Sequence, residues 1–127
     1  FTPEHDEELR ALLRIVRVEY LVDREGGWDS VAKWEDVLSL GEQQRIGIAR
    51  LFYHNPQFAV LDECTSAVSN DVEQALYKAA HDRGITSITI SQRLALEEFH
   101  KNELAMGDCE GADGWSSKPL STPTSTH

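Results

Sequence analysis

Two adjacent carboxylates, Asp62 and Glu63, have the best-defined chemistry in the sequence. They follow the apolar run Phe58-Ala59-Val60-Leu61, which is typical of a buried parallel strand. A carboxylate at the end of such a strand can hold Mg²⁺ directly or through water, and its neighbour can orient or deprotonate an attacking water. Strand ends also carry acidic residues simply because they meet solvent, so the pair alone does not decide the function.

A second chemical feature lies upstream, where Ser39 and Gly41 precede a predicted helix over 42–54. Free backbone N–H groups and the helix dipole attract phosphate to a helix start. A serine there is equally expected as an ordinary N-cap. The order of the features decides between the two: a helix-start serine, one helix, an apolar strand, Asp62-Glu63, and then Ser66-Ala67-Val68-Ser69. This order favours a site that handles phosphate.

The predicted secondary-structure elements around these residues alternate between helices and strands. In order, they are a helix over 4–18, an ordered turn over 24–34, a helix over 42–54, a strand over 58–61, a helix over 70–83, a strand over 85–90, a short helix over 94–101 and a hairpin pairing 103–106 with 114–116. The alternation predicts an α/β fold with a mainly parallel sheet flanked by helices. In such sheets chemistry lies beyond the carboxyl ends of the strands, where Asp62, Glu63 and Gln92 would fall.

The composition argues against a nucleic-acid surface. Lys and Arg number 12 against 22 Asp and Glu, and the net charge is -10, whereas phosphate backbones are bound by clustered cations. No apolar run approaches the roughly 18 residues of a membrane span, so the chain itself is expected to be soluble. Cys64 and Cys109 show neither metal-ligand spacing nor a disulfide framework.

Three segments together resemble the nucleotide-binding domain of ATP-binding cassette (ABC) proteins, which has a P-loop NTPase fold. Leu38–Gln44 is similar to the LSGGQ signature, Phe58–Glu63 to the Walker B strand and Ser66–Ser69 to the D-loop, in the family's order and spacing. The resemblance covers about residues 4–115. It implies that residues 1–116 are the C-terminal part of such a domain, and the Ser/Thr/Pro-rich residues 117–127 are predicted to be a disordered tail.

The subgroup that the chain resembles is that of the peroxisomal long-chain fatty acyl-CoA transporters, subfamily D, with a fungal-like character. The stretches that carry this resemblance are Arg24–Trp28 with Trp34 and Asp36–Ser39, Ala49–His54, and Leu61–Ser69. Cys64 stands where most cassette proteins have proline or alanine, and Ser69 stands where most have aspartate. Both choices are similar to the peroxisomal branch.

The resemblance implies a role for each matching residue. Asp62 would belong to the magnesium shell and Glu63 would act on the hydrolytic water. Ser39 and Gly41 would reach across a dimer interface to the γ-phosphate of an ATP molecule held by the partner's P-loop. The remaining residues of the predicted ATP-contacting set are Glu42, Ser66, Ala67 and Ser69, with Ala67 and Ser69 at the dimer interface.

Two residues depart from the family pattern. Gln92 stands where the family has its switch histidine, and glutamine can donate a hydrogen bond to phosphate but cannot become cationic or accept a proton as imidazole does. Weakened hydrolysis is therefore predicted at the site that this chain builds. Leu40 replaces the first glycine of the signature, and its branched side chain limits how closely the backbone approaches phosphate. Because signature and Walker B of one chain serve opposite ATP sites, the two changes need not damage the same site.

The sequence contains no phosphate-binding P-loop. That loop requires Gly-Lys followed by Ser or Thr, and no lysine here follows a glycine. The chain begins with Phe1, and its only methionine is Met106, so an upstream part that carries the loop is expected. Tight ATP binding and ATPase activity are not expected of the fragment alone.

The implied function is that of an ATP- and Mg²⁺-dependent half-transporter in the peroxisomal membrane, with this domain on the cytosolic side. It would import long-chain fatty acids or fatty acyl-CoA, driven by dimerisation of nucleotide-binding domains. Its implied partners are a second half-transporter, the transmembrane domain of the same parent chain and the acyl substrate held there, but no nucleic acid. The alternative is a non-hydrolytic half that supplies only the interface and signature loop. Gln92 and Leu40 favour this alternative, and the intact Glu63 argues against it.

Overall fold

The computed structural model describes residues 2–107 and 114–120. The elements are helices α1 (Pro3–Ile15), α2 (Tyr20–Arg24), α3 (Trp34–Val37) and α4 (Leu40–His54), strand β1 (Phe58–Asp62), helix α5 (Asn70–Asp82), strand β2 (Thr86–Ile90), a 3-10 helix (Leu94–Phe99), and strands β3 (Asn102–Met106) and β4 (Trp115–Pro119). The chain divides into two compact units, residues 1–90 and 91–127. The predicted α/β class is confirmed, because helices alternate with a parallel pair of strands in the first unit.

Helix α1 ends three residues before the predicted boundary at residue 18. Arg17 adopts a left-handed backbone with φ 62°, which ends the helix. Val16 and Val18, on either side of it, are both fully buried. Two residues that are two positions apart on a helix point to different faces, so a continuous helix could not have buried both valines in the same core.

The region between α1 and α4 contains more helix than was predicted. Helix α2 covers Tyr20–Arg24 and buries Leu21 and Val22, and α3 is a single turn. The predicted turn is present at Gly26 and Gly27, whose φ angles of 90° and 101° favour glycine. Both helices are too short for an apolar repeat to be visible in the sequence.

Helix α4 begins two residues earlier than predicted and ends at His54 as predicted. Asn55 follows in the left-handed region, with φ 44°, and asparagine is one of the few residues that adopt it at low cost. Pro56 then prevents continuation of the helix. The buried side of α4 includes Ile48 and Phe52, which fixes the face that the helix turns to the core.

Strands β1 and β2 form a two-stranded parallel sheet whose register aligns Phe58 with Thr86 and Asp62 with Ile90. Helix α5 connects them and buries the apolar residues Leu76, Tyr77 and Ala80. Within β1, Ala59 and Leu61 are buried while Phe58, Val60 and Asp62 are exposed. The first unit therefore has one covered sheet face and one open sheet face.

The second unit contains the 3-10 helix and an antiparallel hairpin. Its strands align Asn102 with Pro119 and Met106 with Trp115. The predicted hairpin is thus confirmed, and it is longer than expected. The prediction that residues 117–119 belong to a disordered tail is wrong, because they lie in β4 and pair with β3. Cross-strand pairing stabilises this segment despite its Ser/Pro composition; residues 108–113 and 121–127 lie outside the described residues.

Candidate functional site

The start of α4 is a capping box built by Ser39 and Glu42. The Ser39 hydroxyl accepts a hydrogen bond from the Glu42 N–H at 3.2 Å, and the Ser39 N–H donates to Glu42 Oε1 at 2.9 Å. These two reciprocal hydrogen bonds satisfy two backbone N–H donors that have no acceptor within the helix. The N–H groups of Leu40 and Gly41 come next and have no acceptor within the helix. Ser39 and Leu40 are exposed, and Gly41 is buried.

Glu42 is the centre of an internal network. The residue is 6% exposed, and Oε2 accepts hydrogen bonds from the Tyr20 hydroxyl at 2.5 Å and from Arg24 Nη1 at 3.0 Å. The hydrogen bond from Tyr20, followed by those from the Ser39 N–H and Arg24, lowers the pKa of Glu42 to about 2 although burial opposes this. The carboxylate is therefore charged and satisfied from within the protein, and it faces Tyr20 and Arg24.

Sequence reasoning did not identify Tyr20 and Arg24 as part of the site. They lie four residues apart on α2, a spacing that places two side chains on one face of a helix. Arg24 lies at the start of the resembling stretch Arg24–Trp28. Neither observation says that both residues reach a carboxylate 18 and 22 positions further along the chain.

Asp62 and Glu63 lie at the carboxyl end of β1, where the sequence placed them. Asp62 is the last residue of the strand and aligns with Ile90 of β2. Glu63 has φ 50°, and its N–H donates to the Ile90 carbonyl at 2.9 Å. Both side chains are exposed. Within residues 2–107 and 114–120, neither side chain makes a hydrogen bond or ion pair.

The donor set of this pair fits a cation that brings most of its own ligands. Two adjacent carboxylates provide hard oxygen atoms, and Mg²⁺ in phosphate-transfer sites uses one or two carboxylates together with waters and phosphate oxygens. Across the described residues, no group of three or more His, Cys, Asp or Glu side chains could hold a metal ion. The two carboxylates could therefore supply only a minority of the ligands that such a cation needs.

A buried hydrogen bond holds the segment that follows Asp62 and Glu63 in place. The Thr65 hydroxyl donates to Glu73 Oε2 at 2.5 Å, and both residues are buried. Cys64 is half-buried, and burial is the main cause that raises the pKa of its thiol, which disfavours the nucleophilic thiolate. Ser69 is the N-cap residue of α5 and is exposed. The segment between Thr65 and Ser69 is therefore held at one end by Glu73 and at the other by the start of α5.

Gln44 connects the start of α4 to the residues after β1. Its Nε2 donates to the Glu63 carbonyl at 3.2 Å and to Ser66 Oγ at 2.8 Å, and its Oε1 accepts from the Ala67 N–H at 2.9 Å. One turn earlier, Gly41 lies so close to Ala67 that a Cβ at position 41 would be 2.7 Å from the Ala67 carbonyl oxygen. The structure thus brings Gly41, Glu63, Ser66 and Ala67 together. Gln44 was not among the predicted site residues; its only signal was its place within the resembling segment.

Gln92 lies in the second unit, directly after Ser91, and its side chain is exposed. The Ser91 hydroxyl accepts a hydrogen bond from the Arg93 N–H at 3.1 Å, which fixes the local turn. The convergence of Gln92 with Asp62 and Glu63 stays a prediction.

Comparison with known proteins decides the family. A family model described as "ABC transporter" matches residues 5–66. "ABC transporter D family member 1" of Arabidopsis thaliana is 53% identical over 120 residues, which is 94% of this chain and 9% of that protein. The chain belongs to the ABC transporter family. The predicted resemblance to subfamily D is confirmed.

Further ABC relatives show how much of the parent length is matched. "ATP-binding cassette sub-family D member 3" of Rattus norvegicus is 48% identical over 119 residues, covering 94% of this chain and 18% of the relative. "Lysosomal cobalamin transporter ABCD4" of Mus musculus is 41% identical over 112 residues, covering 87% of this chain and 18% of the relative. The chain thus spans less than a fifth of these ABC proteins. No helix within the described residues is long and apolar enough to cross a membrane.

Proposed function

We propose that this chain is part of the ATP-hydrolysing domain of an ABC half-transporter. The observation that carries the proposal is the exposed Asp62-Glu63 pair at the carboxyl end of β1, next to the start of α4. Two adjacent charges that no described residue neutralises are expected where a bound cation completes the site. The family match supports a nucleotide as the ligand that brings this cation.

Asp62 and Glu63 would have different roles. Asp62 would hold Mg²⁺, and the ion supplies charge neutralisation at the nucleotide phosphates when it is bound. Glu63 would orient and deprotonate the attacking water, which is the general-base task of a carboxylate in phosphoryl transfer. The left-handed backbone of Glu63, held by Ile90 and Gln44, supports this assignment, because strained backbone often sets a catalytic side chain.

The start of α4 would serve the ATP molecule of the opposite domain. The Ser39 oxygen accepts the Glu42 N–H, so its hydroxyl hydrogen remains as a donor to a γ-phosphate oxygen. The N–H groups of Leu40 and Gly41 and the positive helix end add to this attraction. Glu42 would not contact the nucleotide, because Tyr20 and Arg24 engage its carboxylate. It would position Ser39 through the capping box.

The open face of the β1–β2 sheet supports a larger parent domain. The side chains of Phe58, Val60 and Ile88 are 61%, 66% and 53% exposed on that face. Parallel strands in α/β proteins are ordinarily covered on both faces. We assign the missing cover to the part of the same nucleotide-binding domain that carries the P-loop, which the relatives' greater length makes room for.

The transported substrate is proposed to be a long-chain fatty acid or its CoA ester, and the location the peroxisomal membrane. The subfamily D stretches described above support this assignment. Dimerisation with a second half-transporter would complete both ATP sites. A relative named as a lysosomal cobalamin transporter supplies the contrasting substrate. Stimulation of ATPase activity by long-chain acyl-CoA but not by cobalamin, measured on the reconstituted full-length dimer, supports the proposal; the reverse result contradicts it.

The hydrolytic role is tested by Glu63→Gln in the full-length dimer. The rate of hydrolysis at the ATP site that Glu63 serves should fall by about 100-fold or more, since a general base supplies this order of rate acceleration, while ATP binding is retained. Glu8→Gln, a change at an exposed glutamate of α1, is the matched control and should leave the rate unaltered.

The second candidate function is a non-hydrolytic half that provides the interface and the signature loop. It is favoured by Gln92 and by Leu40, whose side chain is 59% exposed at the helix start. An unchanged ATPase rate in the Glu63→Gln dimer would establish this second function and remove the site from catalysis.

A further inference from the structure

The Gln44 carboxamide makes three hydrogen bonds to the segment after β1, and both of its N–H donors take part. A carboxamide has two N–H donors and one carbonyl acceptor group. Both donors are engaged, with the Glu63 carbonyl at 3.2 Å and Ser66 Oγ at 2.8 Å. The acceptor is engaged by the Ala67 N–H at 2.9 Å. Replacement of either the amide nitrogen or the carbonyl oxygen of this side chain therefore removes at least one of the three hydrogen bonds.

A second contact holds the same two segments together. Gly41 and Gln44 are three residues apart on α4 and therefore share one helix face. The absent side chain of Gly41 allows the Ala67 carbonyl to approach, since a Cβ would be 2.7 Å from its oxygen. The helix start and residues 63–67 are thus joined at two points, so a displacement of one displaces the other.

The backbone of Glu63 is held from both sides. Its N–H donates to the Ile90 carbonyl at 2.9 Å, which ties it to the sheet, and its carbonyl accepts from Gln44, which ties it to α4. With φ at 50°, this residue occupies a narrow region of backbone space for a residue with a side chain. The direction of its side chain depends on both attachments, and only the one through Gln44 follows the movement of α4.

We propose that Gln44 is a positioning residue that couples the signature loop to Glu63 within one chain. The inference rests on the proposed function, in which Ser39 and Gly41 contact the ATP of one site while Glu63 acts on the ATP of the other. When α4 engages nucleotide, Gln44 carries its shift to the Glu63 backbone and to Ala67. Hydrolysis at one site then depends on occupancy at the other.

The test uses the full-length transporter assembled with its partner and carrying Gln44→Met, which keeps side-chain length and removes all three hydrogen bonds. The value of kcat for ATP should fall about tenfold or more, because small misplacements of catalytic groups have effects of this size, and KM should change by less than about threefold. Gln74→Met, at an exposed glutamine of α5, is the matched control and should leave both values unaltered.

Ser66→Ala provides a milder second variant, because it removes one of the three bonds and leaves α4 unchanged. It should lower kcat by about threefold with KM preserved. A kcat within about twofold of the wild-type value in Gln44→Met overturns the coupling. So does a loss of kcat in both variants that merely follows loss of folded protein, measured by the melting temperature.

Glu63→Gln, assayed in parallel, separates this inference from the function on which it rests. If Glu63→Gln abolishes turnover and Gln44→Met does not lower it, the coupling alone fails. If Glu63→Gln leaves turnover unchanged, the proposed function fails and the coupling fails with it.

Discussion

Glu42 and Glu63 carry the same chemical group and differ in what surrounds it. Glu42 is 6% exposed and is held by Tyr20, Arg24 and the Ser39 N–H. Glu63 is exposed, and within the described part of the chain its side chain has no hydrogen bond or ion pair. In Glu63 the backbone is fixed instead, through its N–H and its carbonyl.

The two glutamates therefore differ in what they can bind. A carboxylate whose lone pairs are all used inside the protein cannot bind a water or a metal ion, so Glu42 stabilises the helix start. A carboxylate whose oxygens make no contact within the described residues remains available to ligands, as at Glu63. Variants at the two glutamates and at Gly41 test this division.

Removal of the enclosed carboxylate should be the most damaging change. Glu42→Ala removes half of the capping box and leaves the Tyr20 hydroxyl and the Arg24 guanidinium without their acceptor. The free energy of unfolding should fall by about 3 kcal/mol, because several hydrogen bonds to one charged group are lost together. Urea denaturation measures the change. Glu63→Ala is the paired control, and an equal loss there would abolish the distinction between the two glutamates.

A methyl group at position 41 should be the next most damaging change. The Cβ of Gly41→Ala would meet the Ala67 carbonyl oxygen at 2.7 Å, and overpacking of this kind costs about 2 kcal/mol. Gly47→Ala is the matched control on the same helix, since its Cβ would meet nothing within 4 Å. That change should raise stability by about 0.5 to 1 kcal/mol, because alanine is the better helix former. Thermal unfolding of the two variants should therefore shift in opposite directions.

Replacement of Glu63 by glycine should stabilise the chain while it removes the carboxylate that is proposed to act on water. Glu63→Gly allows φ 50° without the Cβ penalty, and the free energy of unfolding should rise by about 1 kcal/mol. Glu63→Ala keeps the penalty and should not show this gain. A fall in stability for the glycine variant would mean that the Glu63 side chain contributes to the fold after all.

The enclosed carboxylate should also give stability an acid dependence. Its folded pKa of about 2 lies below the ordinary value of 4.5, so between these values the unfolded chain binds more protons than the folded chain. The contribution of Glu42 is therefore fully present above pH 4.5 and is lost as the pH falls towards 2. Unfolding free energy measured from pH 6 to pH 2 should fall less steeply for Glu42→Gln than for the wild type. Parallel curves would show that the carboxylate is not the group that titrates.

The sequence predicted the elements that have strong local signals. Helix α4 ends at His54 as expected, shortly before Pro56. The apolar run before Asp62 is a parallel strand as predicted, but only Ala59 and Leu61 of it are buried. The sequence missed the end of α1 at Ile15, because the burial of Val16 and Val18 requires a left-handed residue between them. That requirement arises from the packing of the core, and no local sequence pattern predicts it.

The candidate site shows the same limit. The order of a helix-start serine, a helix and a strand that ends in two acids can be predicted from the sequence, because each part has its own local signature. The hydrogen-bond partners of Glu42 and Gln44 cannot be predicted in this way, since they lie 18 to 23 positions away in the sequence. Hydrogen-bond partners at such separations are chosen by the packing of whole elements.

The sequence therefore fixes which groups are present, namely two adjacent carboxylates after an apolar strand and a serine at a helix start. The packing of the elements selects which glutamate is exposed and which is enclosed. Side-chain type fixes the charge and the hydrogen-bonding groups that a residue can offer. The surroundings that use them up or leave them free exist only once α2, α4 and the β1–β2 sheet have packed.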